Sequence, residues 1–174
     1  MNRVLIIGSP GAGKSTFAAK LSIITGLPLH HLDLIWHLPD RTTLSREEFD
    51  SRLDGILKSE RWIIDGNYRR TMQKRLDCCD TVFWLDLPVS DCLRGIRDRV
   101  GKPRADMPWT ETAVDPEFES FVRTFPDNER PYISALLDAF ENCGGEVVHF
   151  RSRAEADAYL SAAAREIRPS SIKN

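Results

Sequence analysis

Apolar residues along this chain keep two alternating rhythms. Short apolar runs of strand length are separated by longer stretches in which apolar positions recur every three or four residues. The runs are Val4 to Ile7, Leu27 to Leu32, Trp62-Ile63-Ile64, Thr81 to Leu87 and Glu146 to Phe150, and the second is expected to end at Asp33. Between them, Phe17, Leu21 and Ile24 mark a helix closed by Gly26 and Pro28. Ser45 with Glu48 forms a capping box ahead of Phe49, Leu53, Ile56 and Leu57, which predicts a helix over about 46–59. Ser90 is read as the cap of a helix carrying Leu93, Ile96 and Val100. Asp115-Pro116 opens a helix bearing Phe118, Phe121, Val122 and Phe125, and Ile133, Leu136, Leu137 and Phe140 mark the next, ended by Gly144-Gly145. Ser152 with Glu155 starts the last. Strands alternating with helices predict an α/β domain with a mostly parallel sheet.

Two stretches fall outside both rhythms. Residues 101–114 hold two prolines and no usable period, which predicts a mobile loop of the lid type, within a lid or insert spanning about 101–127. The polar stretch 168–174 is expected to be a disordered tail, leaving a single domain over 1–167.

Composition narrows the function. A chain of 174 residues, 41% hydrophobic, has room for one compact core. Lys and Arg number 24 against 26 Asp and Glu, so no overall field draws the protein to nucleic acid or to an anionic membrane, and direct DNA binding is not expected. Cys78, Cys79, Cys92 and Cys143 fit neither a zinc knuckle nor a secreted disulfide framework. Together with the absence of any export or membrane-length apolar segment, this leads us to expect a cytoplasmic protein.

The sharpest chemical signal is Gly8-Ser9-Pro10-Gly11-Ala12-Gly13-Lys14-Ser15-Thr16, which satisfies G-x-x-x-x-G-K-[ST] directly after a strand and at the start of a helix. Gly8, Gly11 and Gly13 allow backbone conformations that aim successive N–H groups inward, an anion nest at a positive helix end. Lys14 is then expected to bridge the β- and γ-phosphates of ATP, the Ser15 hydroxyl to hold Mg²⁺, and Thr16 to meet the α-phosphate, with Pro10 and Ala12 as part of the same loop. No guanine-reading N-K-x-D occurs, and the chain has no room for the extra domain of a hexameric motor. The expected function is an ATP-dependent phosphotransferase with a small-molecule or nucleotide acceptor; the alternative is a regulatory or DNA-topology-related nucleotide-binding protein.

The segment Ile63-Ile64-Asp65-Gly66-Asn67-Tyr68-Arg69-Arg70-Thr71 resembles one found in adenylate kinase and its relatives, as does Leu85-Asp86-Leu87-Pro88 followed by an arginine-bearing helix. With His31-Leu32-Asp33, Trp36 and Arg104-Ala105-Asp106-Met107, the chain is similar to the adenylate-kinase-related group known as DNA topology modulation or FlaR-like proteins, over roughly residues 3–160. The resemblance implies a three-layer P-loop fold with a five-stranded parallel sheet of order 2-3-1-4-5 and the site at the carboxyl ends of the strands. It also implies that Asp65 holds Mg²⁺ through water and that Arg69, or Arg70 if the segment is offset, faces the transferring phosphoryl group or the acceptor.

Arg94 and Arg97 share a helix face and are candidates for phosphate contact beneath a closing lid, with Arg104, Arg123 and Arg130 as further candidates; Arg99 is expected to point elsewhere. Ser152 and Arg153 are expected to flank the adenine. His30, His31, Asp33 and His37 invite a metal reading, but adjacent histidines in a strand point to opposite faces. Asp33 carries the acceptor chemistry. Adenylate-kinase-like enzymes place a Gly-Asp-x-x-Arg-like segment after the second strand to grip an acceptor phosphate, and residues 33–52 contain none. A hydroxyl acceptor, unlike a phosphate, must lose a proton, and Asp33 is placed to take it.

Overall fold

The computed structural model describes residues 1–167; the stretch 168–174, read above as a disordered tail, lies outside the described residues. Five parallel strands, β1 (Arg3–Gly8), β2 (Leu29–His31), β3 (Trp62–Asp65), β4 (Thr81–Leu85) and β5 (Glu146–Phe150), form one sheet of order β2-β3-β1-β4-β5. The central strand β1 pairs Leu5 with Ile64 on one side and with Val82 on the other. The order predicted from the family resemblance is therefore the one adopted.

Alternation along these buried strands divides the core in two. Val4, Ile6, Ile63, Phe83 and Leu85 face helices α1 (Lys14–Thr25), α5 (Val89–Asp98) and α8 (Arg153–Ile167). Leu5, Ile7, Trp62, Ile64, Val82 and Trp84 face α2 (Leu32–Trp36), α3 (Arg46–Leu57), α4 (Met72–Leu76) and α7 (Arg130–Asn142). Successive strand side chains point to opposite faces, so a sheet covered on both sides needs apolar residues at every position. Helix α6 (Pro116–Asn128) contributes Val122 to the first core and Phe125 to the second.

Local chemistry sets the boundaries. The Ser45 hydroxyl accepts from the Glu48 N–H at 3.1 Å and the Glu48 carboxylate accepts from the Ser45 N–H at 3.4 Å, so the capping box is formed. Asp115 caps α6 by accepting from the Glu117 N–H at 3.0 Å, with Pro116 in the first turn. Three expectations need correction. The second strand is only Leu29–His31, because Leu32, Ile35 and Trp36 have helical spacing and pack as one turn of α2 onto the second core. Asp33 consequently lies in that turn, not at a strand end. The fourth strand stops at Leu85, and α5 begins at Val89, one residue ahead of the expected cap Ser90, with the Pro88 carbonyl accepting from the Asp91 and Cys92 amides.

A short 3-10 turn (Arg69–Thr71) and α4 follow β3, and sequence periodicity did not announce them. They hang on Arg75, whose guanidinium is fully buried and donates to the carbonyls of Gly66 at 2.7 Å, Tyr68 at 3.0 Å and Thr71 at 3.3 Å, and also to that of Asn67. Burial lowers the Arg75 pKa to about 10. Main-chain carbonyls, not a carboxylate, compensate the charge.

Candidate functional site

The loop between β1 and α1 lies at the carboxyl end of the central strand, flanked by β3 and β4 on either side, where the chain switches direction across the sheet. Gly11 sits at φ 81°, and a Cβ there would meet the Cys92 carbonyl oxygen at 2.1 Å. The approach is mutual, since a Cβ on Gly95 of α5 would meet the Gly11 oxygen at 2.1 Å. Backbone packed on backbone fixes the loop against α5, and only glycine permits it. Arg153 strengthens the same contact by donating to the carbonyls of Gly11 at 2.9 Å and Asp91 at 3.0 Å. This arginine also lines a second, smaller cavity of ≈ 400 Å³ with Gly13, Thr16, Arg99 and Lys102.

Lys14 is folded back along the loop, its ammonium donating to the carbonyls of Gly8 and Ser9 at 3.0 Å each. Burial lowers its pKa, opposed by the negative charges of Asp65 and Asp33. The Gly8 peptide is held from the other side by Asn67, which accepts from the Gly8 N–H at 3.0 Å and donates to the Gly8 carbonyl at 2.8 Å. The Gly8 carbonyl thus accepts from both Lys14 and Asn67.

A cleft of ≈ 1220 Å³ opens over the loop and gathers residues from separate parts of the chain, including Pro10, Gly11, Gly13, Lys14, Ser15, Thr16, His31, Asp33, Asp65, Asn67, Tyr68, Arg99, Arg104, Asp106 and Trp109. At its inner end Asp65 is buried. One carboxylate oxygen pairs with His31 Nδ1 at 2.8 Å, and the other, Oδ1, is buried without a hydrogen-bond partner among the described residues. A carboxylate oxygen left in that state is unfavourable unless something positive or hydrogen-bonding fills the space. The hydration shell of a Mg²⁺ ion held by Ser15 would do so, and these residues therefore fit the metal. Burial disfavours a charged His31, but the hydrogen bond to Asp65 and the negative charges of Asp65, Asp106 and Asp33 outweigh it and raise the imidazole pKa.

Asp33 faces the same cleft. Its Oδ1 accepts from the Tyr68 hydroxyl at 2.8 Å, while Oδ2 has no protein hydrogen bond among the described residues. Burial raises its pKa, an effect opposed by the Tyr68 hydrogen bond. One segment therefore serves both ends of the cleft: Asn67 binds the Gly8 peptide of the β1–α1 loop, Asp65 sets its charge near Lys14 and Tyr68 binds Asp33, with Arg75 holding the backbone between them.

Residues 100–115 cross the cleft without regular structure. Arg104 is paired with Asp106, Nε to Oδ1 at 2.9 Å, and Glu111 accepts from Arg99 at 3.0 Å and from Arg104 at 3.3 Å. Asp106 is buried, which would raise its carboxyl pKa, but the hydrogen bonds and charge of Arg104 bring it down to about 2.

The predicted arginines separate into two groups. Arg104 lines the cleft, as does Arg99, the helical C-cap of α5, whose phase points it away from the face of Arg94 and Arg97 as expected. Arg94 pairs with Asp91 and Arg97 with Glu119, both on the exposed side of α5 and outside the cleft. Arg69 pairs with Glu129 at 3.2 Å and lies over the Tyr132 ring, Arg70 pairs with Asp50, Arg123 with Glu119 and Arg130 with Asp86. None of these four lines the cleft. Asn67, Arg75, Gly95 and Asp106 carry much of the site's geometry, and none was assigned a role from sequence. Arg75 could have been flagged, because Met72, Arg75 and Leu76 share one helix face.

The fold is similar to those of two solved structures. Shikimate kinase from Bacteroides thetaiotaomicron superposes with a TM-score of 0.59 at 15% identity, covering 95% of this chain and 98% of that one. Shikimate kinase from Acinetobacter baumannii in complex with shikimate gives 0.58 at 16% identity, covering 99% and 96%. No protein-family model and no curated protein sequence matches the chain. The fold is that of the shikimate-kinase-like P-loop proteins. Among the described residues, no helix is long and apolar enough to cross a membrane.

Proposed function

We propose that this protein is a P-loop kinase that transfers the γ-phosphoryl group of ATP to a hydroxyl of a small acceptor. The observation that carries the reading is the convergence, in one cleft, of the Gly8–Thr16 loop with Lys14, the buried Asp65 with its unpartnered oxygen, and Asp33 with an oxygen open to an acceptor. The kinase names of the structural neighbours and the resemblance of Asp65-Gly66-Asn67-Tyr68 to the topology-modulation group point the same way.

The ATP phosphates lie along the loop, where the backbone N–H groups and Lys14 counter their charge. Ser15 and Asp65 would hold Mg²⁺, which would supply further neutralisation of the phosphates. Asp33 accepts the acceptor's proton as the new oxygen–phosphorus bond forms; the bond from phosphorus to the β,γ-bridging oxygen breaks, and ADP leaves with that electron pair. Tyr68 holds the Asp33 carboxylate in place. Arg99 and Arg104 are the lid arginines in this account, freed from Glu111 and Asp106 when phosphate replaces those carboxylates. Arg69, Arg94 and Arg97 meet phosphate only by leaving their present partners.

An ATP-consumption screen over polyols, sugars, hydroxy acids, nucleosides and nucleoside monophosphates tests the reading. Turnover of a hydroxyl compound that Lys14→Ala abolishes supports it. ATP binding without turnover on any acceptor would favour a regulatory nucleotide-binding protein instead.

A further inference from the structure

We infer that His31 is a positioning residue for the metal ion: its Nδ1–H holds one oxygen of Asp65, so that the other, Oδ1, is kept for the hydration shell of Mg²⁺. This rests on the reading in which Asp65 holds that ion through water. The pairing is built into the sheet. Strand β2 runs parallel to β3 with His31 opposite Asp65, so the two side chains leave the same face of the sheet at the same end. His30, opposite Ile64, leaves the other face, and only His31 of the two adjacent histidines lines the cleft. His31 also stands at the N-cap of α2, a position that favours Ser, Thr, Asp or Asn, yet its side chain makes no cap bond among the described residues. The ring is engaged by Asp65 instead, at 2.8 Å.

What the bond fixes is the direction of a carboxylate. The last torsion of an aspartate is broad and roughly two-fold, so the backbone of β3 alone does not settle where each oxygen points. A carboxylate only accepts, so Nδ1 carries the hydrogen of this contact. With Oδ2 engaged, Oδ1 is left buried and without a hydrogen-bond partner among the described residues, in the cleft that Ser15 also lines. Asp65 also lies within electrostatic reach of Lys14. A carboxylate free to turn can pair with that ammonium and be lost to the metal. The His31 side chain, itself only 11% exposed, opposes the turn.

The test measures metal binding and not turnover. Mn²⁺, which shares the preference of Mg²⁺ for oxygen ligands, is titrated into the full chain with ADP and its free concentration followed by EPR. His31→Asn places an amide N–H close to the position of Nδ1, and asparagine suits the N-cap backbone; His31→Gln places its amide near the position of Nε2. His31→Gln should weaken Mn²⁺ binding about tenfold, as loss of a hydrogen bond to a metal-holding carboxylate does, and His31→Asn should restore most of it. Affinity for ADP in EDTA should be the same in the wild type and both variants, which a merely structural defect would not leave. Asp65→Asn should weaken Mn²⁺ at least as much as His31→Gln. Mn²⁺ affinity that neither His31 variant changes, that both lower equally, or that falls together with metal-free ADP affinity overturns the inference, while a loss in Asp65→Asn leaves the metal reading standing. If Asp65→Asn binds Mn²⁺ as the wild type does, or ADP brings no Mn²⁺ to the protein, the metal reading of Asp65 falls and the inference with it.

Discussion

The two ends of the cleft are built in different ways. The end proposed to hold the phosphates is made of backbone: a glycine loop pressed onto α5 through Gly11 and Gly95, opening a helix, with one lysine laid along it. The acceptor end is made of side chains from distant segments, namely Asp33, His37, Arg41, Tyr68 and Trp109. Backbone cradles recognise what every nucleotide shares, its phosphates, whereas a wall of side chains recognises one particular molecule. Substitutions at the two ends should therefore fail in different ways.

Lys14→Ala should have the largest effect, lowering phosphoryl transfer by roughly 10²–10³, or ~3–4 kcal/mol, because it deletes the cation proposed to counter the charge of the transferring group. Circular dichroism and melting temperature should be nearly unchanged. Asp33→Asn should act at the other end, lowering kcat by about 10² while the KM for ATP stays close to that of the wild type. The wild-type rate should also fall as pH drops through the Asp33 pKa, since only the carboxylate accepts a proton. Burial raises that pKa above the ordinary 3.8, so the acid limb should lie higher than a free aspartate would put it, and Asp33→Asn should remove the limb.

Arg75→Met should blur the division. By unpairing the carbonyls of Gly66, Asn67 and Tyr68 it should destabilise the fold by about 2–3 kcal/mol, read by urea denaturation, and weaken both substrates. Asn67→Ala should sharpen it. Loss of the paired contacts with Gly8 should raise the Kd for ATP by about tenfold with no change in acceptor KM, as isothermal titration and kinetics would show.

The same contrast explains what could be read from the chain. The Gly8–Thr16 loop between β1 and α1 was legible because its residues are contiguous, and the sheet because Val4 to Ile7, Trp62 to Ile64 and Val82 to Leu85 are apolar without interruption. Asp33 was singled out for its position after the second strand, although the strand is shorter and the residue lies in a helical turn. Arg41 and Trp109 join Asp33 only through tertiary packing, and nothing in their neighbours announces it. Arg94 and Arg97 were weighed by their charge although both lie on the exposed face of α5, whereas Arg99, expected to point away from that face, does so and lines the cleft. Buried Arg75 has the composition of a surface residue, and its role became visible only when the carbonyls it satisfies were in place.

The most direct test of the central claim is ³¹P NMR of the product formed from ATP and the best acceptor of the screen, with wild-type protein and with Asp33→Asn. The account predicts a phosphate monoester resonance beside ADP, nearly lost in the variant. A phosphoanhydride product, or a monoester formed equally fast without the Asp33 carboxylate, would contradict it.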